Sequence, residues 1–175
     1  VCSETCEYNC PLGFSCKLIE GADPTYICVA LYTNLCRPCT TGADCEQLGE
    51  TGGYCIESPD GSGSFCGGPC QATHPCPEAY SCMEKEGLGM GLVEQCWPAG
   101  SCGCNAKAVK EGASTTCEIT NDLGSCSGIR FCGPDGLTDC DAPVPEAEFC
   151  DGEDNDCDGT IDGVACDDEN PCTED

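Results

Sequence analysis

Three stretches of the chain carry strand-like runs of alternating or β-favouring residues, each broken by a turn signal. Phe14 to Ile19 faces Thr25 to Leu31 across GADP, Tyr54 to Glu57 faces Ser64 to Cys66 across SPDGSG, and Tyr80 to Glu84 faces Leu92 to Trp97 across a Gly-rich bend. Period-two patterning around Gly, Pro, Asp and Ser predicts a β-hairpin in each. Downstream, Ser114 to Ile119, Ser127 to Cys132 and Leu137 to Cys140 are separated by NDLG and PDG, which predicts a three-stranded meander anchored by Ile119, Ile129, Phe131 and Leu137. Helical periodicity is nearly absent. One turn of helix is expected, begun by Asp44 as N-cap, running through Leu48 and ended by Gly49.

Cysteines place these hairpins in a repeated frame. CEYNCPLGFSC starts at Cys6, CTTGADCEQLGETGGYC at Cys39 and CQATHPCPEAYSC at Cys70, a period of 33 and then 31 residues. In each, the third cysteine (Cys16, Cys55, Cys82) opens a hairpin that a fourth (Cys28, Cys66, Cys96) closes. The shared frame suggests one-to-three and two-to-four bonds: Cys6 to Cys16, Cys10 to Cys28, Cys39 to Cys55, Cys45 to Cys66, Cys70 to Cys82 and Cys76 to Cys96. Four cysteines allow three connectivities, and spacing does not choose among them.

Composition turns this frame into the basis of the fold. Among 175 residues only 25 are Leu, Ile, Val or Phe, and the net charge is −26, a balance that ordinarily leaves a chain unfolded. Twenty-four cysteines reverse that expectation, because each disulfide contributes roughly 2–4 kcal/mol by restricting the unfolded chain. The expected fold class is therefore small and disulfide-rich, with β-hairpins and irregular loops in tandem modules and little helix. The modules run 1–35, 36–66 and 67–100 for the hairpin repeats, 101–142 for the Cys-x-Cys meander, 143–166 for a calcium loop, and 167–175 for the start of a further module or an assembly tail.

So much cysteine does not suit a reducing cytosol and points to an extracellular or cell-surface location, with attachment to that surface. No run of 18 apolar residues predicts a transmembrane segment, and no basic patch invites nucleic acid. Val1 in place of an initiator Met suggests a mature chain or a piece of one. No enzyme is expected either. His74 is the sole histidine and has no nucleophile at a recognisable spacing, and no carboxylate pair sits in an apolar stretch. Cys36-Arg37-Pro38-Cys39 lacks the βαβ setting of a redox motif, and zinc would need a departure from the repeated disulfide spacing.

Chemistry concentrates at the acidic end. Residues 141–175 hold 14 of the 32 carboxylates and no Lys or Arg, together with Cys150, Cys157, Cys166 and Cys172, so a folded state there requires a neutralising cation. In CDGEDNDCDGTIDG, counted from Asp154, acids occupy positions one, three, five and nine as Asp154, Asp156, Asp158 and Asp162, with Gly159 at six and Thr160 at seven. That is the first three quarters of an EF-hand-like calcium loop without flanking helices, in which alternate carboxylates and the carbonyl of Thr160 turn inward and Gly permits the bend. Ile161, at eight, is expected to turn into the fold. Position twelve is Ala165 rather than Glu, so further ligands are sought in Asp151, Glu148, Asp167 or Asp168, a water, or a neighbouring chain. All-oxygen donors in a flexible loop favour Ca2+ over magnesium or a transition metal. The bland reading is an acidic turn held by disulfides alone. CDDENPCTED offers a second oxygen set in Asp168, Asn170 and Asp175, against the alternative of a solvated turn.

Residues 101–163, with SCGC, NDLGSCSG, CDAPVPEAEFC and CDGEDNDCDGTIDG, resemble the cysteine-rich secreted and surface proteins of myxobacteria and related bacteria that carry a metal-binding motif of the form CDGxDNDCDGxxDE. CRPCTTGADC and CPEAYSC are similar to modules that accompany it. The resemblance implies a surface protein with Asp151, Asp154, Asn155, Asp156, Asp158 and Asp162 in the motif, and Gly163 replaces its closing Glu.

The leading functional expectation is an extracellular structural protein, a calcium- and disulfide-stabilised subunit of a surface matrix or filament. An adhesin or ligand-binding module would need an exposed aromatic patch, for which Tyr26, Tyr32, Tyr54 and Trp97 are the candidates, and a metal-scavenging protein would need soft ligands beyond Met83 and Met90. Cys2 reads as the closing cysteine of a preceding repeat and CDDENPCTED as an opening one, so a head-to-tail homopolymer bridged by calcium is expected, or else a fragment of a longer array. The intrachain alternative pairs Cys2 with Cys36.

Overall fold

The computed structural model describes residues 6, 10–11, 13–19, 25–46, 52–70 and 75–162. They are mainly strands and loops tied by ten disulfides, and fall into two compact units: residues up to Thr115 with Phe131–Leu137, and Thr116–Arg130 with Thr138 onward. The fold is small, β-rich and disulfide-rich, and no described helix is long and apolar enough to cross a membrane.

In the first unit, β1 (Phe14–Ile19) and β2 (Thr25–Ala30) form an antiparallel hairpin with Cys16 opposite Cys28. Strands β3 (Cys55–Glu57), β4 (Ser64–Cys66), β5 (Gly68–Pro69), β6 (Tyr80–Gly87) and β7 (Gly91–Pro98) make one five-stranded sheet in the order β4-β3-β6-β7-β5, so the second and third hairpin repeats share a sheet. Cys55 lies opposite Cys66 and Cys82 opposite Cys96. Facing cysteines of a hairpin point to the same side of the sheet. They are not bonded to each other. Each reaches back to one of two cysteines in the preceding segment, and all six one-to-three and two-to-four bonds are present.

Alternation within β3 and β4 puts Ile56 opposite Phe65, and both are fully buried. With Trp97, 3% exposed, and the Cys36 and Cys102 sulfurs they form the apolar core, against which Tyr54, Tyr80 and Leu137 pack. Cys39, Cys45, Cys55 and Cys66 form a second, sulfur-lined cluster. Cys36 is bonded to Cys102 and not to Cys2, and both sulfurs lie in the apolar core; the loop bearing Cys36 is fixed to β4 by its N–H, which donates to the Cys66 carbonyl at 2.9 Å. Buried Gln95 is a polar hub whose amide donates to Gly52 O and Glu94 O and accepts from the Tyr54 N–H. Gly67 is required beside it, since a Cβ there would stand 2.8 Å from the Gln95 amide oxygen.

The expected helical turn at Asp44 is a 3-10 turn, Gly42–Cys45, preceded by Thr41 as N-cap, so Asp44 sits inside the turn. Its carboxylate folds back to accept the Thr40 and Thr41 N–H groups and hydroxyls, which caps the first turn from the third position. Leu48 and Gly49 lie outside the described residues. A short helix not expected from periodicity, α1 (Ala106–Glu111), is bounded by Asn105, which accepts from the Ala108 N–H, and by Gly112 in the left-handed conformation at φ 63°. Lys107 donates to Asn34 Oδ1 at 2.8 Å, Arg37 pairs with Glu111 at 3.3 Å, and Cys104 is bonded to Cys132.

The meander is present as β8 (Ser114–Thr120), β9 (Ser125–Gly133) and β10 (Gly136–Leu137), in the order β10-β9-β8. Of the expected anchors, Leu137 packs against the Ala108, Ala113 and Cys132 cluster of the first unit, while Ile129 and Phe131 are exposed, the buried positions being taken by alanine and sulfur. The second unit buries Cys117, Cys126, Ala142 and Pro145. Asn121 organises the NDLG turn by accepting the Leu123 and Gly124 N–H groups, while its amide donates to Pro145 O at 2.7 Å.

Candidate metal centre

The acidic loop folds around its own backbone donors. Asp154 accepts the Asp158 N–H at one oxygen and the Gly159 N–H at the other, Asp156 shares the Asp158 N–H, and Asp158 accepts the Thr160 N–H at 2.7 Å. Gly159, at φ 92°, makes the bend expected of position six. Consecutive Asx turns of this kind curl the segment by giving the Asp156 and Asp158 carboxylates each a backbone donor two residues further on.

Glu148 completes the cluster from outside the loop. Its Oε1 accepts the Asn155 N–H at 2.9 Å and the Asp156 N–H at 3.1 Å. The carboxylates of Glu148, Asp154 and Asp156 each place an oxygen within 4.8 Å of the other two, and all three side chains are partly buried. The second oxygen of Glu148 is buried with no hydrogen-bond partner among the described residues. A buried carboxylate oxygen without a donor carries a desolvation penalty, and two neighbouring carboxylates increase it, so the arrangement suits a cation. Only oxygen is offered, which fits a hard divalent ion such as calcium. Glu148, Asp154 and Asp156 would hold it.

The other sequence candidates take different positions. Asp162 accepts the N–H groups of Asp151 and Gly152 at 3.0 and 2.9 Å, which ties the end of the loop to its start, while the Asp151 carboxylate accepts the Glu153 N–H. Asn155 is a brace, its side chain accepting from Phe149 N–H and its backbone bonded in both directions to residues 146 and 148. Asp158 and Thr160 are exposed. Asp168 and Asn170 lie outside the described residues, as does His74. Ile161, expected to turn inward, is 62% exposed, because among the described residues no helix or apolar core packs against this end of the loop and the unit's interior is filled by sulfur, alanine and proline. Phe149, at the loop's other flank, is 56% exposed.

Other metal geometries are accounted for by covalent bonds. The sulfur triplets Cys6, Cys10, Cys28 and Cys39, Cys45, Cys66 are grouped closely enough to hold an ion, but every one of these cysteines is in a disulfide. Cys36 and Cys39 belong to separate bonds. Of the aromatic candidates, Trp97 is in the core with Lys85 5.3 Å from its ring, Tyr32 donates to Pro69 O and Pro75 O, and Tyr26 is half exposed.

Comparison with family models, with curated proteins and with solved structures finds no match.

Proposed function

We propose that the chain is an extracellular structural protein, a subunit of a surface matrix or filament hardened by disulfides and by calcium. The buried, donorless oxygen of Glu148, on a carboxylate grouped with those of Asp154 and Asp156, is the observation that carries the calcium reading. The resemblance of CDGEDNDCDGTIDG to a bacterial surface-protein motif points the same way. Ten disulfides among the described residues, with so small an apolar core, support an oxidising, extracellular setting. Self-assembly finds support in two different apolar features. The β6–β7 hairpin exposes Leu88, Met90 and Leu92, and the loop of the second unit exposes Phe149 and Ile161. Unlike patches on one chain favour heterologous contacts between copies, which grow as open filaments, and calcium offsets the repulsion of two acidic partners.

Two measurements test this. Calorimetric titration should find calcium binding in the range of about 10⁻⁴–10⁻³ M usual for extracellular modules. Electron microscopy should then show ordered assemblies in millimolar calcium that disperse on chelation. Monodisperse monomers under both conditions would remove the assembly reading, and absence of calcium binding would remove the metal.

A further inference from the structure

Cys157 stands inside the acidic loop, between Asp156 and Asp158, and is bonded to buried Cys126 of β9. The same few residues are held to the neighbouring segments without covalent help. The Asp156 carbonyl lies so close to Gly124 that no Cβ could be accommodated there, and the Glu146 N–H donates to Asn155 O at 3.0 Å. Cys157 itself has φ 60°, a left-handed conformation that a residue with a Cβ adopts when its surroundings impose it. The disulfide and the Glu148, Asp154, Asp156 cluster therefore require one and the same backbone arrangement.

Two events that select the same conformation are linked, and their coupling at equilibrium is reciprocal. Closing the 31-residue span from Cys126 to Cys157 removes conformations in which the carboxylates are apart. An ion held by the carboxylates in turn keeps Cys157 where Cys126 meets it. Resting on the calcium reading above, we infer that calcium occupancy and the Cys126–Cys157 disulfide are reciprocally coupled, so that the ion guides this pairing in oxidative folding and the bond raises affinity for the ion. The chemistry is thiol–disulfide exchange. The two thiols give up two protons and two electrons to a small-molecule disulfide, which leaves as two thiols, and one S–S bond forms as another breaks. Calcium exchanges no electrons and acts only on the position of Cys157.

The native protein is equilibrated in glutathione buffers of graded thiol-to-disulfide ratio, with saturating calcium or with chelator, then alkylated and mapped by peptide mass. The equilibrium constant for Cys126–Cys157 should rise with calcium by a factor in the range of about 5 to 150, while that of Cys39–Cys55 in the first unit stays constant. Conversely, Cys126→Ser with Cys157→Ser should bind calcium more weakly by the same factor in calorimetry. If that double variant fails to fold, the exchange equilibrium of the native protein decides alone. Calcium binding to the native protein with an unchanged Cys126–Cys157 equilibrium would overturn the coupling and leave the metal site standing. Absence of binding would overturn both.

Discussion

The two units reach a folded state by different means. The first places Ile56, Phe65 and Trp97 in a common core, adds a shared five-stranded sheet and a capped helix, and uses disulfides to fasten segments that already bury apolar surface. The second turns Leu123, Val144, Phe149 and Ile161 outward and buries Cys117, Cys126, Ala142 and Pro145. Its order comes from two described disulfides, Cys117–Cys140 and Cys126–Cys157, and from carboxylates that accept its own backbone N–H groups. Among the described residues too little apolar surface is covered there for burial to carry the fold, so bonds, turns and the proposed ion take its place. Stability of the first unit should follow core volume, and stability of the second should follow calcium and oxidation state.

The largest expected effect is in the first unit. Phe65→Ala removes a fully buried ring and should destabilise that unit by about 3–5 kcal/mol, read by denaturant unfolding of the Trp97 fluorescence, without changing calcium affinity. Chelation should act on the other side. At calcium about a hundredfold above its dissociation constant the ion contributes about 2.7 kcal/mol, so its removal should open residues 138–162 to proteases while the Trp97 signal is unmoved. A loss in both units together would break the contrast between them. Glu148→Gln or Asp156→Asn should mimic chelation at low calcium and be rescued by raising it.

Gln95→Leu is a sharper probe of the first unit, because it strands the Gly52 carbonyl and the Tyr54 N–H; a loss of about 1–3 kcal/mol is expected in the same unfolding assay. The smallest effect belongs to Asp44. Burial raises its pKa, but hydrogen bonds from the backbone and hydroxyls of Thr40 and Thr41 outweigh that and hold it below the ordinary 3.8. Its contribution is then fully present above pH 3.8 and is lost as pH falls through the lower folded value. Asp44→Ala should cost about 1 kcal/mol at neutral pH and converge on the parent in acid.

The hairpins were legible because the turn residues sit between alternating runs, and the repeated cysteine frame suggested one pairing for all three repeats, which is the one present, although spacing alone does not select it. Cys36–Cys102 was not, since a bond spanning 66 residues has no spacing rule to announce it. The signals for α1 were present in Asn105 and Gly112, but six residues are too few to show a helical period. At the acidic loop, the alternation of carboxylates and the bend at Gly159 could be read directly. Which carboxylates converge could not, because Asp162 is taken up by the backbone of residues 151 and 152 and Glu148 enters from outside the motif.

The double staple also frees the hairpin tips. Cys16 and Cys28, Cys55 and Cys66, and Cys82 and Cys96 stand 12, 11 and 14 residues apart, yet all three pairs face each other across a ladder and are fastened behind, away from the turn. Register is thus set by the clamp at the base, and the tip is relieved of that duty. The tip between β3 and β4 is a natural site for insertion: Pro59, Asp60 and Gly61 are exposed and bonded only within their own turn, so a foreign epitope or recognition loop placed there would be displayed on a scaffold whose pairing it does not control.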